Sequence, residues 1–549
     1  MSFSNLQFLF YFLPLFFAAY YLLPFRFKNA GLVLGSALFY FWGAGAQDAL
    51  LLGVVILLHY GLARLMAGRS RALRKALLAA ALAADLLCLV YFKYAAFFLE
   101  NWNGLTGQTI PLPQIALPLG VSFYLFQSMG YLIDVYRGEK PERNIIDYAA
   151  FTLAFPQLTM GPILRWHDWR GPLKERTVGR QDVLDGLEYF IVGLSCKVLL
   201  ADQLAPLWAS IERIGYEYLS TPLAWLGAVS YSLQLYLDFS GYSLMAMGLG
   251  QLLGLPVPRN FDLPYTARSV SEFYRRWHIT LGTWFRDYLY IPLGGSRRGK
   301  ARTVLALTVV WLCTGLWHGA SWSFVLWGAA LLGFILLEKF CIGGFLKRHR
   351  ILSHVYLLVV IPLTWVIFRI TDLRDLGAYF SRLFPFFGTP GAVSAQDAAK
   401  QLASYWWLLL VSILLCLPQP RRFFERYRRC LWMQVSLFLL LWVCVYFIAT
   451  SSGSAFSIPV FEVIDHGLPK SLSAPAPVPC KRHFAECVRR RGPHRGLPEV
   501  PGKAGAHDTA GGGHGHSPGR WSVSLEHTAS QWPGTSAYAS AAAGVNSGA

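Results

Sequence analysis

Apolar runs about as long as a bilayer is thick recur along this chain, and they leave it few ways to fold. Residues 8–25 (FLFYFLPLFFAAYYLLPF), 49–66 (ALLLGVVILLHYGLARLM), 76–92 (ALLAAALAADLLCLVYF) and 355–368 (VYLLVVIPLTWVIF) are almost free of charge. A helix needs about 20 such residues to cross the hydrocarbon core. No water is available at that depth, so the backbone must bond to itself and each run reads as a helix. Only 14% of the 549 residues are charged, where a soluble chain carries about a quarter. The pattern predicts an all-α polytopic membrane protein with about eleven spans. Four lie before residue 100, and the rest are drawn from stretches near 115–136, 146–162, 185–203, 221–252, 303–318, 320–340, 353–370, 404–418 and 431–450. The apolar N-terminus has neither a basic leader nor a small-residue cleavage site, so a retained first helix is expected.

The net charge of +19 does not point to nucleic acid. The basic residues cluster between apolar runs, in RSRALRK (69–75), RRGKAR (297–302), KRHR (347–350) and RRFFERYRR (421–429). That is the distribution of cytoplasmic loops. The nine cysteines are scattered without a CxxC, so neither a zinc site nor a disulfide framework is indicated. Residues 253–302 are too polar to cross as one helix and read as an interfacial or re-entrant segment. After about residue 465 the chain turns rich in Pro, Gly, His and Arg, and too little apolar surface remains to offset chain entropy. Residues 1–455 are therefore expected to form the membrane domain, and 456–549 a disordered tail. The GGGHGHSP stretch in that tail is not taken as a metal site.

Two segments concentrate ionisable residues where they are costly. In WLCTGLWHGASWSFVLWG (311–328), His318 stands in an apolar run without a charged neighbour. A continuous helix would put Trp311, Gly315, His318 and Trp322 on one face, and Gly315 with Gly319 would let another helix approach closely. An interhelical structural histidine fits this pattern, and so does a general base, because imidazole titrates near neutral pH. In RRWHITLGTWFRDYLYIPLGG (275–295), the arginines Arg275, Arg276 and Arg286 alternate with aromatics around His278, and Arg297, Arg298 and Lys300 follow. They fit a positive-inside helix cap, or a cationic funnel for a phosphate-bearing substrate. Glu272 and Arg276 are spaced one helical turn apart, as are Trp284 and Tyr288. In YSLQLYLDFSGYS (231–243), Gln234 and Asp238 are also one turn apart. An intramembrane Asp needs a partner, and an arginine of the 275–286 block is the expected one. Gln127, Asp134, Lys197 and Asp202 are read as architectural.

These stretches, with LPLGVSFYLFQ, FPQLTMGPILR, NFDLPY and WVIFR, occur in an order that resembles the membrane-bound O-acyltransferase family, specifically its bacterial alginate O-acetyltransferase branch. The resemblance covers about residues 1–455. It implies a helical bundle around a central tunnel, with His318 as the catalytic base and His278 as a second active-site histidine that orients or polarises the reacting carbonyl. It further implies that Arg275, Arg276 and Arg286, with Trp277 and Trp317, line the path of the donor, while Gln234 and Asp238 are structural. No resident cofactor or metal is implied. Acetyl-CoA is the implied donor, a polysaccharide the acceptor, the bacterial inner membrane the location, and exported polysaccharide-acetylating proteins the partners.

Two departures stand out. The residue after FSGYS, commonly Asp in this branch, is Leu244, so any acidic role there is absent. Members also usually end soon after the last span, whereas this chain continues from SSGSAF into the Pro/Gly/His/Arg stretch. A GC-rich gene read out of frame gives that composition, so a frameshift near 456–460 is expected, with a genuine extension as the alternative. A D-alanyl transferase of cell-envelope polymers is the rival within the family. A proton-coupled transporter and a membrane scaffold are the rivals outside it.

Overall fold

The computed structural model describes residues 2–384, 386, 394 and 396–450, and the regular structure there is helical throughout. The expected tail at 456–549, with its frameshift, lies outside the described residues. Seven described helices are long and apolar enough to cross a membrane: Ala46–Met66, Arg71–Thr106, Lys300–His318, Trp322–Arg348, Arg350–Arg369, Asp397–Leu415 and Leu431–Thr450. Their outward faces carry Leu57, Leu86, Val355, Leu410 and Trp442, all exposed. Large apolar side chains facing outward on helix after helix are tolerable only where the solvent is lipid.

At the centre lies Thr221–Leu253, a 33-residue helix about 50 Å long at 1.5 Å per residue. The Ser220 side chain caps its start by accepting from the backbone N–H of Leu223 at 3.2 Å. Gly254, at φ 69°, ends it in the left-handed conformation that favours glycine. The helix is buried on nearly every side. Its closest neighbour is Arg180–Ser195, which runs antiparallel and touches it backbone to backbone. A Cβ on Gly193 would lie 2.5 Å from the Gly241 carbonyl oxygen, and one on Gly248 would lie 2.4 Å from that of Gly186. Only glycine pairs permit this approach.

That register settles the partner of Asp238. One turn beyond Gly193, a π-helical turn, Cys196–Ala201, carries Lys197 opposite Asp238. The Lys197 ammonium lies 2.8 Å from Asp238 Oδ1 and 2.5 Å from Asp202 Oδ1. The expected arginine of the 275–286 block is not the partner, because the glycine contacts bring a lysine there first. Gln234, one turn earlier, is buried on the same helix. Gln127 donates to the Phe151 carbonyl and Asp134 accepts from the Tyr288 hydroxyl, at 2.6 and 2.7 Å.

One expected span is shorter than predicted. Residues 146–162 form the nine-residue helix Ile145–Leu153, and the chain then turns irregularly through Pro156, Gly161 and Pro162. This irregular backbone is shielded by protein, with Phe155, Leu158, Met160 and Ile163 all buried. Its Phe155 N–H is satisfied by the Ser36 hydroxyl at 3.1 Å, as depth in a bilayer requires.

Candidate active site

The polar block folds as two short helices, Val270–Arg276 and Ile279–Phe285, joined at Trp277 and His278. The Ser269 side chain caps the first by accepting from Glu272 N–H at 3.0 Å. Glu338, from the second half of the Trp322–Arg348 helix, accepts at the same end from the N–H of Val270 and from the N–H and hydroxyl of Ser271. A buried carboxylate therefore fastens the helix to a membrane span and complements its positive end. His278 makes the corner with φ 46° and ψ 54°. For a residue with a Cβ, this left-handed backbone costs about 1–2 kcal/mol, and such strain persists only where its surroundings impose it.

Those surroundings centre on Asn260, which is fully buried. Its backbone carbonyl accepts from Ile279 N–H at 3.0 Å. Its side-chain Oδ1 receives Thr280 N–H at 3.1 Å, the Thr280 hydroxyl at 3.0 Å and His278 Nδ1 at 3.2 Å. The other ring nitrogen, Nε2, is buried without a partner among the described residues.

His318 arrives from another direction. The helix Lys300–His318 packs on Trp322–Leu337 through Gly315 and Gly328. A Cβ on Gly315 would lie 2.4 Å from the Phe324 carbonyl oxygen. The helix stops at His318, because Gly319 is extended and the Phe324 ring fills the space a Cβ would need there. Its last carbonyls do not go unpaired: Tyr94 donates to that of Leu316 and Lys93 to that of Trp317. Trp322 therefore starts the next helix instead of sharing a face with His318. It is exposed, and its indole donates to Asn101 at 2.8 Å. The His318 ring sits edge-on among Trp317, Trp327 and Phe368, with centroids 4.9, 5.0 and 5.2 Å away.

Both histidines open into one cavity of about 1100 Å³. Its inner walls include Trp277, Trp311 and Trp327, and its outer rim includes Arg268, Arg275, Arg286, Lys339 and Lys347, all exposed. Two carboxylates also reach it, and both are engaged. Glu338 caps the short helix, while Glu272 accepts from Arg268 N–H and from Arg276 at 3.0 and 2.6 Å. Burial pushes the Glu272 carboxyl up, but those two donors outweigh it and hold the group below the usual carboxylate range.

The structure thus gathers His278, His318, Trp277, Arg275 and Arg286 at one cavity and leaves two expected residues outside it. Arg276 is turned back onto Glu272 and the Thr266 hydroxyl, because successive residues on a helix point about 100° apart. Trp317 packs its ring against Phe123 and Phe126 behind the histidines. Residues that the sequence did not single out include Asn260, Glu338, Lys339, Lys93 and Tyr94. Lys93 had a signal, as a charge inside an apolar run. Asn260 had only its place in NFDLPY.

Comparison with known proteins gives the family. The family model described as "MBOAT, membrane-bound O-acyltransferase family" matches residues 133–351. A protein of Azotobacter vinelandii named "Probable alginate O-acetylase AlgI" is 38% identical over 435 residues, which is 78% of this chain and 86% of that one. Its namesake in Pseudomonas aeruginosa is 41% identical over 398 residues, 70% and 75% of the two chains. A "Peptidoglycan O-acetyltransferase" of Helicobacter pylori is 33% identical over 417 residues, 68% and 78%. These similarities set aside the transporter and the scaffold. The chain is a multi-pass membrane O-acyltransferase, a member of the membrane-bound O-acyltransferase family.

Proposed function

We propose that the protein takes an acetyl group from acetyl-CoA on the cytoplasmic side of the inner membrane and passes it to hydroxyls of a secreted polysaccharide of the alginate kind. Transfer is direct, or goes through exported partner proteins that carry the group onward. The observation that carries this reading is the single cavity with a basic, exposed rim and an aromatic floor holding both histidines. Guanidinium and ammonium groups at a mouth suit the phosphates of a nucleotide thioester. The cavity is at the upper end of ligand-site volumes, and tryptophan walls exclude water from the thioester end.

The transfer follows from that placement. His318 Nε2 or Nδ1 takes the proton of the acceptor hydroxyl as its oxygen attacks the thioester carbonyl carbon. The new C–O bond forms, the C–S bond breaks, and the thiolate leaves with the proton returned by the imidazolium. Acid–base help of this kind is worth roughly 10² to 10⁴ in rate, and holding both reactants in one site supplies much of the remainder.

The test is transfer of radiolabelled acetyl from acetyl-CoA to alginate oligosaccharides by purified protein in proteoliposomes. Labelled ester should appear with the wild type and vanish with His318→Ala at equal folded amounts. If His318→Ala transfers acetyl normally, His318 is a structural residue. If no ester forms on supplying exported acetyl-carrier partners as well, the donor or acceptor is of another class.

A further inference from the structure

We propose that Asn260 is a positioning residue that locks His278 in the tautomer with its proton on Nδ1, so that the ring meets the substrates as a hydrogen-bond acceptor through Nε2. Ring tautomers are normally open to choice, but here a backbone amide decides. Thr280 N–H can only donate, and it donates to the same Asn260 atom that faces His278 Nδ1, at 3.1 and 3.2 Å. That atom is therefore the amide oxygen. The Thr280 hydroxyl agrees, because it accepts from Ile163 N–H at 3.0 Å and so turns its own proton to Asn260. An oxygen receiving these bonds has no proton to give, so His278 must donate from Nδ1. In the neutral ring Nε2 then holds only a lone pair.

A half-turn of the ring about Cβ–Cγ would put Cδ2 where Nδ1 stands and lose the bond to Asn260. The ring is buried, its backbone is fixed in the left-handed region, and Phe239 stands edge-on at 4.8 Å. His278 lines the cavity, and its Nε2 is buried without a partner among the described residues. A lone pair there accepts an O–H or N–H from a bound substrate and cannot polarise a carbonyl oxygen, which requires a donor. That replaces the carbonyl-polarising role implied for His278 by resemblance. His318 is different, since no described side chain bonds its Nδ1. One histidine is locked as an acceptor and the other is free to carry the proton.

The assignment rests on the proposed function for the identity of the substrates but not for the tautomer, so the two are tested separately. In protein labelled with ¹⁵N-histidine in detergent micelles, His278 is assigned by its loss in His278→Gln. The wild-type resonances should show the proton on Nδ1. Asn260→Leu, which removes the acceptor oxygen, should move the proton wholly or partly to Nε2 and lower kcat by about tenfold or more. Thr280→Val removes another bond to the same oxygen but leaves the acceptor in place, so it should lower stability while leaving the tautomer as it was. A proton on Nε2 in the wild type overturns the proposal. So does unchanged kcat in folded Asn260→Leu, or a proton moved to Nε2 in Thr280→Val. If Asn260→Leu does not fold, the wild-type spectrum still decides. If no donor supports turnover, the proposed function fails and the spectrum again decides the tautomer.

Discussion

Replacing Lys197 with Met removes the cation that Asp202 and Asp238 share. In the structure its ammonium lies 2.5 and 2.8 Å from one oxygen of each, and the second oxygen of Asp238 is buried without a partner among the described residues. The Met variant leaves two carboxylates side by side inside the bundle, and breaking a buried pair in this way costs about 3–5 kcal/mol. Asp238→Asn is milder, because Lys197 keeps Asp202 and the loss is one charge-assisted hydrogen bond, about 1.5–3 kcal/mol. The Met variant should therefore be the less stable by about 1–2 kcal/mol, a roughly five- to thirtyfold change in the folded ratio. Folded fraction after heating in detergent, read by fluorescence-detected gel filtration, measures the order. Turnover per folded molecule should remain near wild type in Asp238→Asn. A Met variant as stable as the Asn variant would refute the shared-cation account. A stable but inactive Asp238→Asn would give the aspartate a chemical role instead.

Arg275→Lys and Arg286→Lys should raise the apparent KM for acetyl-CoA several-fold, because Lys lacks the planar two-pronged donor. Arg276→Lys should leave that KM unchanged and lower stability instead, since Arg276 faces Glu272 and Thr266. Cysteines at 297–300 should label from the cytoplasmic side; labelling from the other side moves the donor site elsewhere. Gly315→Val places side-chain atoms against the Phe324 carbonyl and should cost about 1–3 kcal/mol with loss of turnover as the His318 corner shifts; unchanged melting and activity would show that the two helices separate freely. Glu272 has its folded pKa depressed, so its stabilising contribution is present above its unfolded pKa and lost as pH falls through the folded one. Glu272→Gln should accordingly melt below the wild type at neutral pH, and the gap should close in acid.

What the sequence made legible follows from how local each cause is. Runs near 20 residues long had to be helical, because that depends on length and polarity alone. His318 stood out because an isolated imidazole in an apolar run is costly. The spacing argument failed at Trp322, because the helix ends at His318 with Gly319 extended and Trp322 begins the next one. Asp238 plainly needed a partner, but which one depended on the glycine register between Arg180–Ser195 and Thr221–Leu253. Arg275 and Arg276 look alike in the sequence, and only the packed helix shows which one faces the cavity. Asn260 carries no pattern of its own, since its meaning comes from Thr280 and His278 meeting the same oxygen.

The long central helix also bears on how the chain enters the membrane. Thr221–Leu253 is not among the seven helices apolar enough to cross by themselves, and it carries Gln234 and Asp238 near its middle. Left alone in lipid it would expose the Asp238 carboxylate, at a cost of about 2.5–3.5 kcal/mol. The segment synthesised before it carries Lys197 already paired with Asp202, so it presents a cation to the helix that follows. Chain order thus suits the order of the charges, with the paired cation made before the carboxylate that joins it.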